Sequence, residues 1–129
     1  MPKRFQDLRA WQDALDAADV LYDFAATLPK FELFGMGNQL RRAALSVPSN
    51  IAEGHGRFGP KEFLKFLGNA RGSLQEIITC LELAKRRKYC TAKQAADMIA
   101  VLDRSGRTLN ALRTAVAKQV PSKARTTVR

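Results

Sequence analysis

The chain has 129 residues, 46% of them hydrophobic and 26% charged, and carries a formal net charge of +10. That is one domain's length with enough apolar material for a core of its own, so no disulfide or metal staple is required. No apolar run approaches the roughly 20 residues of a membrane span, and two cysteines, Cys80 and Cys90, make neither a disulfide framework nor a zinc spacing.

The N-terminal residues lack the apolar region of a signal peptide, so a cytoplasmic protein is expected. The first helix is predicted from about 7 to 28. Leu8, Trp11, Leu15, Ala18, Tyr22 and Ala25 recur at steps of three and four and form its apolar stripe. Gln12, Asp16, Asp19 and Asp23 line the opposite face. Pro29 ends the segment, because proline cannot continue the hydrogen-bond ladder.

The second helix is predicted over about 34–54, with Leu40, Ala43, Ala44, Val47 and Ile51 as its stripe. Pro48 interrupts it. Two short helices or one kinked helix would both fit; the apolar phase runs through from Ala44 to Ile51 and favours the kink. Gly54, Gly56 and Gly59 mark a loop that holds the single histidine, His55.

The third helix is predicted over about 60–87, opened by Pro60 and Glu62 and striped by Phe63, Phe66, Leu67, Ala70, Leu74, Ile77, Ile78 and Leu81. Cys80 falls on this apolar side, which predicts a buried, reduced thiol. Gly68 and Gly72 each weaken the helix by about 1 kcal/mol, and close approach of a neighbouring helix is the usual compensation. The fourth helix, about 91–119, opens with the capping-box spacing of Thr91 and Gln94 and ends before Pro121. Residues 121–129 read as a basic flexible tail. The fold class is therefore all-α, an antiparallel up-and-down four-helix bundle over residues 1–120, because short connections turn each helix back on its predecessor.

Charge is unevenly spread. Between Asp7 and Leu28 five acids face one base, a balance of −4, which leaves +14 on the rest of the chain. Such asymmetry suits a polyanionic partner, or subunits that dock acidic surface on basic surface. Asp16, Asp19 and Asp23 are the candidate subunit-interface acids. The candidate phosphate contacts are Arg41 and Arg42; Arg57, Lys61 and Lys65; and the run Lys85, Arg86, Arg87 and Lys88. No base-reading motif accompanies them and interleaved aromatics are few, so weak sequence specificity is expected. Enzyme chemistry is not expected. One loop histidine, no Walker lysine, no dinucleotide context and no Glu-x-x-His pair leave no catalytic constellation, no metal site and no cofactor cradle.

The stretch from Arg41 to Gly54 (RRAALSVPSNIAEG) resembles the signature of the four-helix bundle proteins encoded in intervening sequences of bacterial 23S ribosomal RNA genes. Phe5–Trp11 is similar to that family's opening, and Lys61–Leu67 and Ala70–Glu76 to its third helix. The resemblance implies homopentameric rings, no catalytic residues, and kinship with the accessory variability determinant of diversity-generating retroelements. That relative is a basic ring that binds nucleic acid and works with a reverse transcriptase. The expected function is a non-enzymatic homo-oligomer, a pentamer by the resemblance, that binds RNA, DNA or an RNA–DNA hybrid, with a reverse transcriptase as a further partner. The alternative is a protein-interaction or scaffold module with no nucleic-acid role.

Overall fold

The computed structural model describes residues 4–121. The expected tail lies, after Pro121, outside the described residues. Four α-helices account for most of the chain: α1 (Arg9–Ala25), α2 (Met36–His55), α3 (Gly59–Arg86) and α4 (Ala92–Ala117). Short 3₁₀ turns at Phe5–Asp7 and Lys30–Glu32 precede α1 and α2, and no strand occurs among the described residues.

Each helix packs on the next and α4 closes on α1, while the diagonal pairs stay out of backbone contact. The sense of α2 against α3 can be read from side-chain pairs. Gly54 lies against Phe63 and Phe66, Ser46 bonds Ser73, and Gln39 bonds Glu76. Numbers fall along one helix as they climb along the other, so the two run antiparallel. Leu21, Leu40, Ile51, Leu67, Ile77, Leu81, Leu102 and Leu109 are almost fully buried and form the centre of the core.

The expected α1 stripe is buried at Leu8, Ala18 and Ala25 and half-buried at Trp11, but the core face is turned away from its two other members. Leu15 and Tyr22 are each 42% exposed, whereas Ala10, Ala14, Ala17 and Leu21 are buried, with Asp13 beside them. Both sets repeat at helical spacing. The alanine face wins because α1 must fit between α2 and α4, and small side chains let two neighbours approach where large ones would hold them apart. The bulky residues then stand at the edges.

The five stripe residues of α2 are all buried, and the helix is continuous through Pro48 rather than split in two. Pro48 has no N–H, so the Ala44 carbonyl loses its usual partner. Just after it, the Asn50 amide donates to the Ser46 carbonyl at 2.8 Å and to Ser46 Oγ at 3.0 Å, and the Ser73 hydroxyl donates to the same Oγ at 2.8 Å. This polar seam ties α2 to α3.

Gly54 lies in α2, within the predicted span, and His55, expected in the loop, closes the helix with its ring in a T-shaped contact with Phe63. A methyl group on Gly54 would stand 2.8 Å from Phe63 Cδ1 and from Phe66 Cβ. Here the close helix approach exists. It does not exist at Gly68 or Gly72, which are exposed with nothing within 4 Å of a built Cβ. The two glycines singled out by spacing therefore have no packing role within the chain.

The end of α3 is a Schellman turn. Tyr89 N–H bonds the Ala84 carbonyl at 2.9 Å and Lys88 N–H bonds the Lys85 carbonyl at 3.1 Å. The left-handed position falls on Lys88, with φ +63°, where glycine is usual. The capping box of α4 is complete: Gln94 N–H donates to Thr91 Oγ1 at 3.0 Å and Thr91 N–H to Gln94 Oε1 at 2.8 Å.

The contrast between the glycines makes a direct test. Gly54→Ala should lower stability by about 1–3 kcal/mol through overpacking, despite better helix propensity. Gly72→Ala on the isolated chain should raise it by up to about 1 kcal/mol. Urea unfolding followed by circular dichroism measures both; the same sign for the two would contradict this packing.

Candidate nucleic-acid interface

The bundle has two ends. The first carries the α1–α2 and α3–α4 connections, which touch: the Tyr89 hydroxyl donates to Glu32 Oε2 at 2.8 Å, and the rings of Phe31 and Tyr89 meet edge-on at 6.5 Å. The second carries the α2–α3 turn. The nine candidate basic residues do not form one patch. Lys85, Arg86, Arg87 and Lys88 lie at the first end. Arg57, Lys61 and Lys65 lie at the second, roughly 40 Å away along α3. Arg42 is exposed on the α2–α3 side, beside Gln39, Ser46, Ser73 and Glu76.

Some of these cations are already engaged. Arg41 Nη2 donates to the Leu33 carbonyl at 3.1 Å and so anchors the connection before α2. Arg57 pairs with Glu53 at 2.7 Å and stacks its guanidinium 5.1 Å over Phe66. Lys85 pairs with Glu82 at 3.5 Å. Both pairs are solvent-exposed and one or fewer helical turns long, worth only about 0.3–0.5 kcal/mol each, so either cation can be given up to a phosphate. Arg42, Lys61, Lys65, Arg86, Arg87 and Lys88 take part in none of the ion pairs seen among the described residues.

Glu32 organises the first end. Its carboxylate accepts the Met36 N–H at 3.1 Å, at the positive end of the α2 dipole, and the Tyr89 hydroxyl as well. The Met36 bond, then the Tyr89 bond, then the nearby charge of Arg87 hold its carboxyl below the ordinary glutamate range. A single side chain thus joins α2 to the α3–α4 connection and brings Arg87 beside it.

The three aspartates of α1 are exposed but do not share one surroundings. Asp16 and Asp19 line a shallow groove of about 440 Å³ with Leu15, Tyr22 and Leu45, between α1 and α2. Asp23 lines a cleft of about 470 Å³ on the α4 side, with Phe24, Tyr89, Asp97 and Met98. No cluster of histidine, cysteine and carboxylate groups among the described residues could hold a metal ion. Cys80 and Cys90 are free and only partly buried. Burial pushes both thiols up, with Glu76 adding to the effect at Cys80, so neither is an activated nucleophile.

The sequence profile described as 23S rRNA-intervening sequence protein matches residues 6–111. The chain belongs to this family. No curated protein matches it closely enough to count as a relative. Within the matched residues, the Arg41–Gly54 stretch builds structure: Ala43, Ala44, Val47 and Ile51 lie on the buried side of α2, Ser46 and Asn50 build the seam to α3, and Gly54 admits the phenylalanines of α3.

Two features of this family member escaped the sequence reading. Arg71 and Arg107 both line a groove of about 380 Å³ between α3 and α4, although nothing in a linear charge count joins them. Phe31, Phe34 and Phe58 stand 76%, 88% and 99% exposed, yet isolated phenylalanines in a sequence read as core. No helix among the described residues is long and apolar enough to cross a membrane.

The Glu32 anchor predicts a pH dependence. Its carboxyl value is depressed in the folded chain, so its contribution is present above the ordinary glutamate range and is lost as pH falls through the folded value. The stability difference between wild type and Glu32→Gln should therefore be larger at pH 7 than at pH 3 in urea unfolding. An equal difference at both would contradict the anchor.

Proposed function

We propose that this protein is a non-enzymatic, homo-oligomeric accessory that binds RNA, DNA or an RNA–DNA hybrid through its basic surface, with little sequence specificity. The observation that carries the reading is the set of exposed cations at both ends of the bundle that take part in no ion pair among the described residues, on a chain of net charge +10. Each phosphate neutralised releases counterions, so such a surface gains affinity from any nucleic-acid backbone. The absence of a base-reading motif leaves backbone charge as the main source of affinity.

Subunit association follows from the same charge. Chains of +10 repel one another unless acidic surface meets basic surface. Asp16 and Asp19 flank an exposed apolar groove, and that combination suits a sister chain's cationic side. The pentamer is taken from the family resemblance. The same groove also supports the second reading, a scaffold module whose partner is another protein.

Salt separates the two. With six or more phosphate contacts, affinity for a 30-nucleotide RNA should fall by about 10³-fold between 50 and 200 mM salt. An affinity that barely changes would leave the scaffold reading. Light scattering at low micromolar protein and moderate salt should give a multiple of the 14.3 kDa chain, and five copies for a ring. A monomer would reject the oligomer.

A further inference from the structure

The first end of the bundle combines two things that phosphate binding alone does not need. Phe31 and Phe34 are 76% and 88% exposed on the α1–α2 connection. Bare phenylalanine rings in water are unfavourable, and this connection is held in place rather than left to fold its rings inward. Glu32 is bonded to Met36 N–H and to the Tyr89 hydroxyl, and the Leu33 carbonyl is held by Arg41. The rings of Phe31 and Tyr89 meet in a T-shaped pair at an interplanar angle of 69°, and Phe31 stays 76% exposed despite it. The cations Arg86, Arg87 and Lys88 follow directly on the other connection, and Lys88 is fixed in the left-handed turn that presents Tyr89.

We infer that this end is a stacking platform for an unpaired stretch of nucleic acid, with bases on Phe31 and Phe34 and the phosphates beside them on Arg86, Arg87 and Lys88. The inference rests on the nucleic-acid reading above and adds to it the substrate class, single strand over duplex, and the place. Every base offers a π face, so stacking is tolerant of sequence, in keeping with a surface that has no base-reading motif. Bases inside a duplex cannot reach a ring. The rings and the cations come from two connections about 55 residues apart in sequence, brought together by the Glu32–Tyr89 bond. A basic surface with exposed rings also suits an anionic membrane. The single strand is preferred because the exposed rings sit on an anchored connection, and a fixed, exposed ring is what a stacked base requires.

The test compares binding of a 12-nucleotide single-stranded RNA and a 12-base-pair duplex, by fluorescence anisotropy, to the full chain and to variants. Phe31→Ala and Phe34→Ala should each weaken single-strand binding by about tenfold or more and change duplex binding by less than about twofold. Both rings are exposed, so folding should survive, and circular dichroism checks it. Phe58→Ala, a bare ring at the opposite end, should leave the single-strand preference unchanged. Phe34→Trp should keep affinity and show indole emission quenched by the single strand. Equal losses for strand and duplex, no loss, or a larger effect at Phe58 would overturn the platform while leaving the nucleic-acid reading intact. Binding of neither nucleic acid by the wild type would overturn both. Ring-dependent capture by vesicles of phosphatidylglycerol, without ring-dependent RNA binding, would assign the end to a membrane instead.

Discussion

Four helices, each with one face that water rejects, can hide those faces only on one another. In α1, Ala10, Ala14 and Ala17 are buried and Leu15 and Tyr22 are left at the rim. A residue that packs well for the whole bundle is not always the most hydrophobic one available. The rim that results is an apolar groove with acids along it, and it exists because the alanines allowed the neighbours to come close.

Closure also sorts the charge. Once the apolar faces are used, lysines and arginines are left on the outside and at the ends, with few acids to match them. The connections do more than reverse the chain. At the first end a Schellman turn sets the direction of Tyr89, Tyr89 holds Glu32, and Glu32 holds the start of α2. At the second, Gly54 lets α3 begin directly against the last turn of α2. The Arg41–Gly54 stretch contributes to both α2 packing and this turn.

Much of this was legible in the sequence. The stripes of α2 and α3, the α4 capping box and the family itself follow from spacing and motif, because those features are local. What was not legible depends on a second helix. The α1 stripe was read through Leu15 and Tyr22, and only packing against two neighbours puts Ala14, Ala17 and Leu21 in the core instead. Gly54 and Gly72 look alike in a helix; one faces two phenylalanines and the other faces water. Arg71 and Arg107 become neighbours only when α3 and α4 pack. The exposure of Phe31 and Phe34 depends on how the α1–α2 connection is held, which no local pattern records.

As proposed, a single strand meets the first end of the bundle and not its apolar groove. Hydrogen–deuterium exchange on the full chain, with and without a short single-stranded RNA, addresses it most directly. The account predicts slower exchange on binding in the α1–α2 and α3–α4 connections, around Phe31–Gly35 and Arg87–Cys90, with the middle of α1 unchanged. Protection confined to the α1–α2 groove around Asp16 and Asp19, or no protection anywhere, would contradict it.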